Sequence, residues 1–223
     1  MIIKVCGMIE AQNVRSLIPL GIDWVGFIFY EPSKRYVEKD LEKIEYLKNA
    51  GGYTAGLERV GVFVNESFET ILEKVKEYHL TYVQLHGDEN SQLCDQLQKA
   101  GLGVIKAFSV DENFEFRNIV SFEFVCDYFL FDTKGKDPGG NGISFDWTLL
   151  KKYHGRVPFL LSGGIGPDAV DEVAEFYHPA FAGIDLNSKF EIEPGLKDLE
   201  KIRTFITDLS KKIFTAPDFW SKM

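Results

Sequence analysis

Short apolar runs alternate with stretches of helical period along the whole chain. Ile2–Cys6, Asp23–Phe29, Arg59–Val64, Tyr82–Leu85, Val104–Phe108, Tyr128–Phe131, Val157–Leu161 and Phe181–Asp185 read as strands. Their near-continuous hydrophobicity is that of parallel strands covered on both faces. Helical stretches fall between them. Ala11–Leu20 is closed by Gly21, a second runs from about Val37 to Asn49 and is closed by Gly51, and a fourth ends near Ala100 before Gly101. The third carries Phe68, Ile71, Leu72 and Val75, the i, i+3, i+4, i+7 stripe of a helix with one buried face. Glu112 to Glu123 is rich in Phe without a clean period, and Phe145–Tyr153 reads as a short helix. Pro167 is expected to open the next helix, which buries Val170, Val173, Ala174 and Tyr177. The last buries Leu199, Ile202, Ile206 and Leu209, before a tail from Phe214 carrying Pro217 and Trp220.

No Pro/Ser/Gly-rich linker divides the chain. Eight βα units in 223 residues predict an α/β fold: one (β/α)8 TIM barrel with a parallel eight-stranded barrel, as a single domain over 1–223. An open doubly wound sheet usually has fewer strands.

In such a barrel, chemistry collects where strands end. Asp132 follows the apolar run Tyr128–Phe131, shares a face with Leu130 and Tyr128, and leads into a loop with Pro138 and Gly139-Gly140-Asn141-Gly142. A carboxylate there is costly unless solvated, paired or used, so it either braces the loop or does chemistry. Cys6 ends the first strand with Gly7 after it, and Lys4 on the same face could favour a thiolate; the alternative is a small core residue. Gly163 and Gly164 after the seventh strand, with Asn187 and Ser188 after the eighth, suit a phosphate held by backbone N–H groups, the recurring phosphate site of this fold; the bland alternative is a tight turn. Asp185 closes the eighth strand. Arg35, beside Lys34 in the second loop, reads as a surface charge from its residues alone. His86 is as well suited to a structural hydrogen bond as to catalysis, and Lys106 in mid-strand would need a partner if it points inward. A base at Cys6 facing an acid at Asp132, beside a phosphate anchor, suits a proton-shuffling isomerisation of a phosphorylated sugar.

Composition narrows the partners. With 25 Lys and Arg against 34 Asp and Glu the net charge is −9, which argues against nucleic-acid or membrane-surface binding. Apolar residues make up 45% of the chain, enough for a sizeable core, and no run approaches the roughly 20 residues of a membrane span. Cys6, Cys94 and Cys126 lack metal-like spacing, so free thiols are expected, with no metal and no cofactor. The first residues, Met1 to Gly7, lack a signal-peptide layout, and a cytoplasmic location is expected.

KVCGM, PSKRYV, VQLHGDE, FDTKGKDPGGNGISFDW, LSGGIGPDAV and DLNSKFEIEPGLKD, in this order, resemble the phosphoribosylanthranilate isomerase family over essentially the whole chain. The resemblance implies a (β/α)8 barrel that performs an Amadori rearrangement in tryptophan biosynthesis. It implies Cys6 as general base, Asp132 as general acid, Arg35 at the anthranilate carboxylate, and phosphate loops at Gly163, Gly164, Asn187 and Ser188. His86 and Asp185 are expected to touch the same small phosphorylated substrate. The chain would act as a monomer or homodimer. Asn141 and Lys189 depart from the family pattern, which usually has threonine and glycine there. Two other readings compete: a histidine-pathway aldose–ketose isomerase, which would want an aspartate where Cys6 stands, and a non-catalytic phosphosugar-binding barrel, which would need neither Cys6 nor Asp132.

Overall fold

The computed structural model describes residues 1–39, 47–48, 56–133 and 146–215. Eight parallel strands close into a barrel in chain order: β1 Ile2–Val5, β2 Trp24–Ile28, β3 Glu58–Phe63, β4 Tyr82–Leu85, β5 Gly103–Val110, β6 Tyr128–Thr133, β7 Phe159–Leu161 and β8 Phe181–Leu186. β1 pairs with β8, which completes the ring. An antiparallel hairpin, β9 Glu191–Glu193 and β10 Leu196–Lys197, follows β8. The expected architecture is therefore the one observed.

Two apolar layers hold it. Inside the barrel, Trp24, Val60, Ile105, Ala107, Leu130 and Leu160 form a cluster of their own. The Trp24 ring stacks on Tyr82 with centroids 4.7 Å apart and meets Tyr128 edge-on at 5.0 Å, so aromatic rings plug the floor. The opposite strand faces join the helices in a larger outer core. Tyr128 and Leu130 pack within the barrel, which places Asp132 inside as well, one pleat higher.

Several local expectations change. β6 runs two residues past Phe131, so Asp132 lies inside the strand and not after it. Cys6 lies just beyond β1, and the first helix stops at Arg15, followed by a 3-10 turn Ile18–Leu20 that Gly21 ends. The Phe-rich stretch forms a 3-10 helix, Phe116–Phe122. Phe114, Phe116 and Phe122 pack edge-on or tilted against Phe108 and Phe131, so ring packing fixes this crossover without a helical stripe. The sixth helix is likewise 3-10, over Trp147–Lys152. Pro167 does not open the seventh helix: Ala169 N–H donates to Gly166 O in a turn, and the helix runs only Val170–Glu175. Tyr177 therefore falls beyond it and is 58% exposed. Lys106 points away from the interior: its neighbours Ile105 and Ala107 face inward, and it reaches Glu89 at 3.2 Å.

The helices Phe68–Tyr78 and Leu199–Thr215 bury the expected faces, to which Phe205 is an addition, and the helix Ser91–Lys99 ends at Ala100 as expected. Only the 3-10 turn Val37–Lys39 and residues 47–48 of the second expected helix are described. The rest of that helix, Gly51, the loop with Pro138 to Gly142, and Pro217 with Trp220 lie outside the described residues.

Candidate active site

The carboxyl ends of the strands surround a pocket lined by Cys6, His86, Asp132, Gly163, Gly164, Asp185, Asn187 and Ser188. Eight of the nine residues singled out in the sequence thus meet at one mouth; Arg35 stands behind them. Ile28, Tyr30, Ser33, Gln84 and Ser162 also line it. Ser33, Gln84 and Ser162 stand at strand ends in the sequence but were given no role there, and Ile28 and Tyr30 carried no signal, because strand-end position alone does not say which residue turns inward.

Cys6 continues the line of β1, its N–H donating to Leu186 O at 2.9 Å. Its side chain is buried above Gly26 of β2, where an added Cβ would lie 2.7 Å from Cys6 Sγ and 3.2 Å from Lys4 Nζ. Lys4 stands opposite Asp185 in the β1–β8 register and donates to Asp185 Oδ1 at 2.9 Å, both side chains being buried. Burial would lower the Lys4 pKa, but Asp185 and Cys6 together raise it, so Lys4 stays charged. For Cys6, burial dominates and pushes the thiol up, while Lys4 and Lys197 pull it down without prevailing. The expectation that Lys4 favours a thiolate is thus half met: the lysine pulls that way, but desolvation outweighs it and the resting group is the thiol.

Asp132 faces Cys6 from the other side of the mouth. Its Oδ1 accepts Thr133 N–H at 2.8 Å, and Oδ2 lies 3.4 Å from His86 Nε2. Gln84, two residues before His86 on the same strand face, brings Nε2 to 3.0 Å from His86 Nδ1. With that amide donating, the imidazole proton sits on Nε2, toward Asp132. His86 Nε2 and Gln84 Oε1 are buried and make no hydrogen bond among the described residues. Behind them Lys106 donates to Gly87 O at 2.8 Å, and Glu89 accepts Gly87 N–H at 2.9 Å, which fixes the loop that carries His86.

Gly163 has φ +83°, and a Cβ there would strike Thr133 Oγ1 and lie 2.7 Å from Asp132 Oδ1. Glycine is required both for the left-handed backbone and for the approach of this loop to Asp132. Asp185, expected to touch substrate, gives Oδ1 to Lys4 and keeps Oδ2 3.5 Å from Ser162 Oγ. The exposed Lys189 lies on the rim, its stem running past Gly166.

Arg35 is held, not loose. Its Nε donates to both oxygens of Glu191, at 2.8 and 3.0 Å, and Nη2 donates to Oε2 at 2.6 Å. Lys197 Nζ donates to the same carboxylate at 2.6 Å and to Asn187 Oδ1 at 2.8 Å. The Arg35 stem passes over Gly7, φ +73°, where a Cβ would lie 2.6 Å from Arg35 Cδ and 2.9 Å from Asn187 Oδ1. Burial would raise the Glu191 pKa, but Arg35 and Lys197 bring it below its ordinary value, so it is ionised. Glu191 and Lys197 were within a quoted motif, yet nothing in their spacing marked them as partners of Arg35. Among the described residues no His, Cys, Asp and Glu group is arranged to hold a metal, and no helix is long and apolar enough to cross a membrane.

A family model described as N-(5′-phosphoribosyl)anthranilate (PRA) isomerase matches residues 3–208. An N-(5′-phosphoribosyl)anthranilate isomerase from Parabacteroides distasonis is 49% identical over 209 residues, covering 94% of this chain and 93% of the relative. The crystal structure of phosphoribosyl anthranilate isomerase from Thermotoga maritima superposes with a TM-score of 0.81 at 33% identity, covering 95% of this chain and 100% of that one. A phosphoribosyl anthranilate isomerase in complex with reduced 1-(o-carboxyphenylamino)-1-deoxyribulose 5-phosphate gives 0.78 at 31%, with the same coverage.

Proposed function

The chain belongs to the N-(5′-phosphoribosyl)anthranilate isomerase family, and we propose how its own residues perform that rearrangement. N-(5′-phosphoribosyl)anthranilate is converted to 1-(2-carboxyphenylamino)-1-deoxy-D-ribulose 5-phosphate, a step of tryptophan biosynthesis. Asp132 is the acid and Cys6 the base. The observation that carries this reading is that both face one pocket from opposite walls, with the Gly163–Gly164 and Asn187–Ser188 loops on its rim.

Asp132 donates its proton to the ribose ring oxygen, the ring opens, and an iminium forms. Thr133 N–H occupies Oδ1, which leaves Oδ2 to carry that proton. Cys6 then acts as the thiolate: as the iminium charge develops its thiol proton passes to solvent, the sulfur removes the C2′ proton, and the enolamine takes up a proton at C1′ as it relaxes to the ketone. A thiol made reluctant to ionise by burial suits this order. The iminium brings a positive charge beside Cys6 only after ring opening, and that charge offsets the desolvation when the base is needed. Asp185 keeps Lys4 charged beneath Cys6.

Gly163, Gly164, Asn187 and Ser188 bind the phosphate through backbone N–H groups, Arg35 meets the anthranilate carboxylate, and His86 contacts the sugar hydroxyls. The rearrangement moves protons with no net oxidation, so it calls for no redox cofactor. We read the chain as one catalytic domain over 1–223, cytoplasmic, acting as a monomer or homodimer on a small phosphorylated substrate. The histidine-pathway alternative is less favoured, because Cys6 holds the place where that reaction would want an aspartate.

Cys6→Ser and Asp132→Asn test the assignment. Each should lower kcat by roughly 10²-fold or more, the usual worth of a positioned acid or base. Affinity for a product analogue should change little, since the anchors remain. Near-normal turnover in either variant would remove that residue from its role, and lost binding with normal turnover per complex would favour a phosphosugar-binding protein.

A further inference from the structure

Arg35 and Glu191 form a bidentate pair with side chains 13% and 5% exposed. A cation so closely matched by an anion has no net charge left to offer an incoming carboxylate. Lys197 changes that balance. Its side chain is fully buried, and its ammonium donates to Glu191 Oε1 at 2.6 Å and to Asn187 Oδ1 at 2.8 Å. Its backbone is pinned as well: Lys197 N–H donates to Asn13 Oδ1 at 2.8 Å, and Asn13 Nδ2 donates to Lys197 O at 3.0 Å. The β9–β10 hairpin brings positions 191 and 197 together. A fully buried ammonium is costly, and a neutral side chain of similar volume could fill the same space. With it, two cations share one anion and the cluster keeps a net positive charge. Glu191 takes the Nε and Nη2 edge of the guanidinium, so Nη1 lies outside that pair. Burial pulls the Lys197 pKa down, and Glu191 opposes that loss of charge.

We propose that Lys197 is a positioning residue, a buried counter-charge that shares Glu191 and so leaves Arg35 a net charge for the aryl carboxylate of the substrate. Its second bond sets the side chain of Asn187 at the phosphate-facing loop. This rests on the assignment of Arg35 to that carboxylate.

The test compares two ligands: the reduced product analogue and its counterpart without the carboxyl group. The ratio of their Kd values, measured by calorimetry, isolates the carboxylate contact. In the unmodified protein the carboxyl-free ligand should bind about tenfold to a hundredfold more weakly, the worth of hydrogen bonds to a charged group. Lys197→Met should bring the ratio close to one. The double variant Glu191→Gln/Lys197→Met should restore most of it, because Arg35 again has no full negative charge against it while the neutral amide put in place of the carboxylate can still accept from Nε. A purely structural role for Lys197 predicts no such recovery.

An unmodified ratio in Lys197→Met, or a collapsed ratio in the double variant, overturns the proposal. If Lys197→Met does not fold, the double variant decides alone by the same criterion. Failure of the unmodified protein to bind the reduced analogue would instead sink the functional reading. Equal binding of the two ligands by the unmodified protein would sink the Arg35 assignment, and the inference with it.

Discussion

On the β1–β8 side of the mouth every buried charge has a partner of opposite sign: Lys4 has Asp185, and Arg35 and Lys197 share Glu191. On the β4–β6 side Asp132 accepts one backbone N–H and faces His86 at 3.4 Å, while His86 Nε2 and Gln84 Oε1 have no hydrogen-bond partner among the described residues. The contrast follows from the two jobs. The base needs an environment set in advance, because a thiol responds to every nearby charge. The acid side needs unspent hydrogen-bonding capacity, because the sugar oxygens must be received there.

The strongest way to break the contrast is Lys4→Met. It strands Asp185 in a buried site, so about 3–5 kcal/mol of stability should be lost, with part regained in Lys4→Met/Asp185→Asn. Denaturant unfolding measures both, and a loss below about 1 kcal/mol would show that the pair is not structurally committed. Arg35→Lys comes next. Lysine cannot hold the two-point contact with Glu191 and present a planar fork as well, so KM should rise about tenfold with kcat little changed. Unchanged kinetics would return Arg35 to a brace of the loop.

His86→Asn sharpens the contrast from the open side. Among the described residues Nε2 makes no hydrogen bond that could be lost, and the asparagine oxygen can accept from Gln84 in place of Nδ1, so stability should move by less than about 1 kcal/mol, read from the same unfolding curves. A loss matching that of Lys4→Met would erase the distinction between the two walls. The smallest effect concerns pH. Burial raises the Cys6 pKa above its ordinary 9.0, so in the free protein the thiolate grows only at alkaline pH. The rate of Cys6 alkylation by iodoacetamide, followed by peptide mass mapping, should keep rising past that value. An inflection near neutrality would mean that Lys4 and Lys197 outweigh burial.

Much of this was open to reading in the chain. Eight apolar runs, each followed by a helix-length stretch, already imply a parallel barrel, because a strand buried on both faces must be apolar throughout. Period two then places Asp132 with Tyr128 and Leu130, and the fold collects strand ends at one mouth. The helix stripe at Phe68, Ile71, Leu72 and Val75 and the glycine stop at Gly101 are equally local, and the structure keeps both. Element ends were less legible. The stretch from Phe114 to Phe122 and the start of the helix after Pro167 are decided by what they pack on and by turn hydrogen bonds, not by their own periodicity.

What only the tertiary structure decided is the electrostatics of the site. Lys4 and Asp185 are 181 positions apart and Arg35 and Glu191 are 156 apart. Such pairings exist only once β1 closes against β8 and the hairpin after β8 folds back over the second loop. Lys4, the nearest cation to Cys6 in sequence, suggested a thiolate, yet burial by the closed barrel reversed the balance. Hydrophobic period is written locally because each element must present an apolar face of its own. Charge balance is a sum over everything that a buried group meets, and that sum is complete only in the folded barrel.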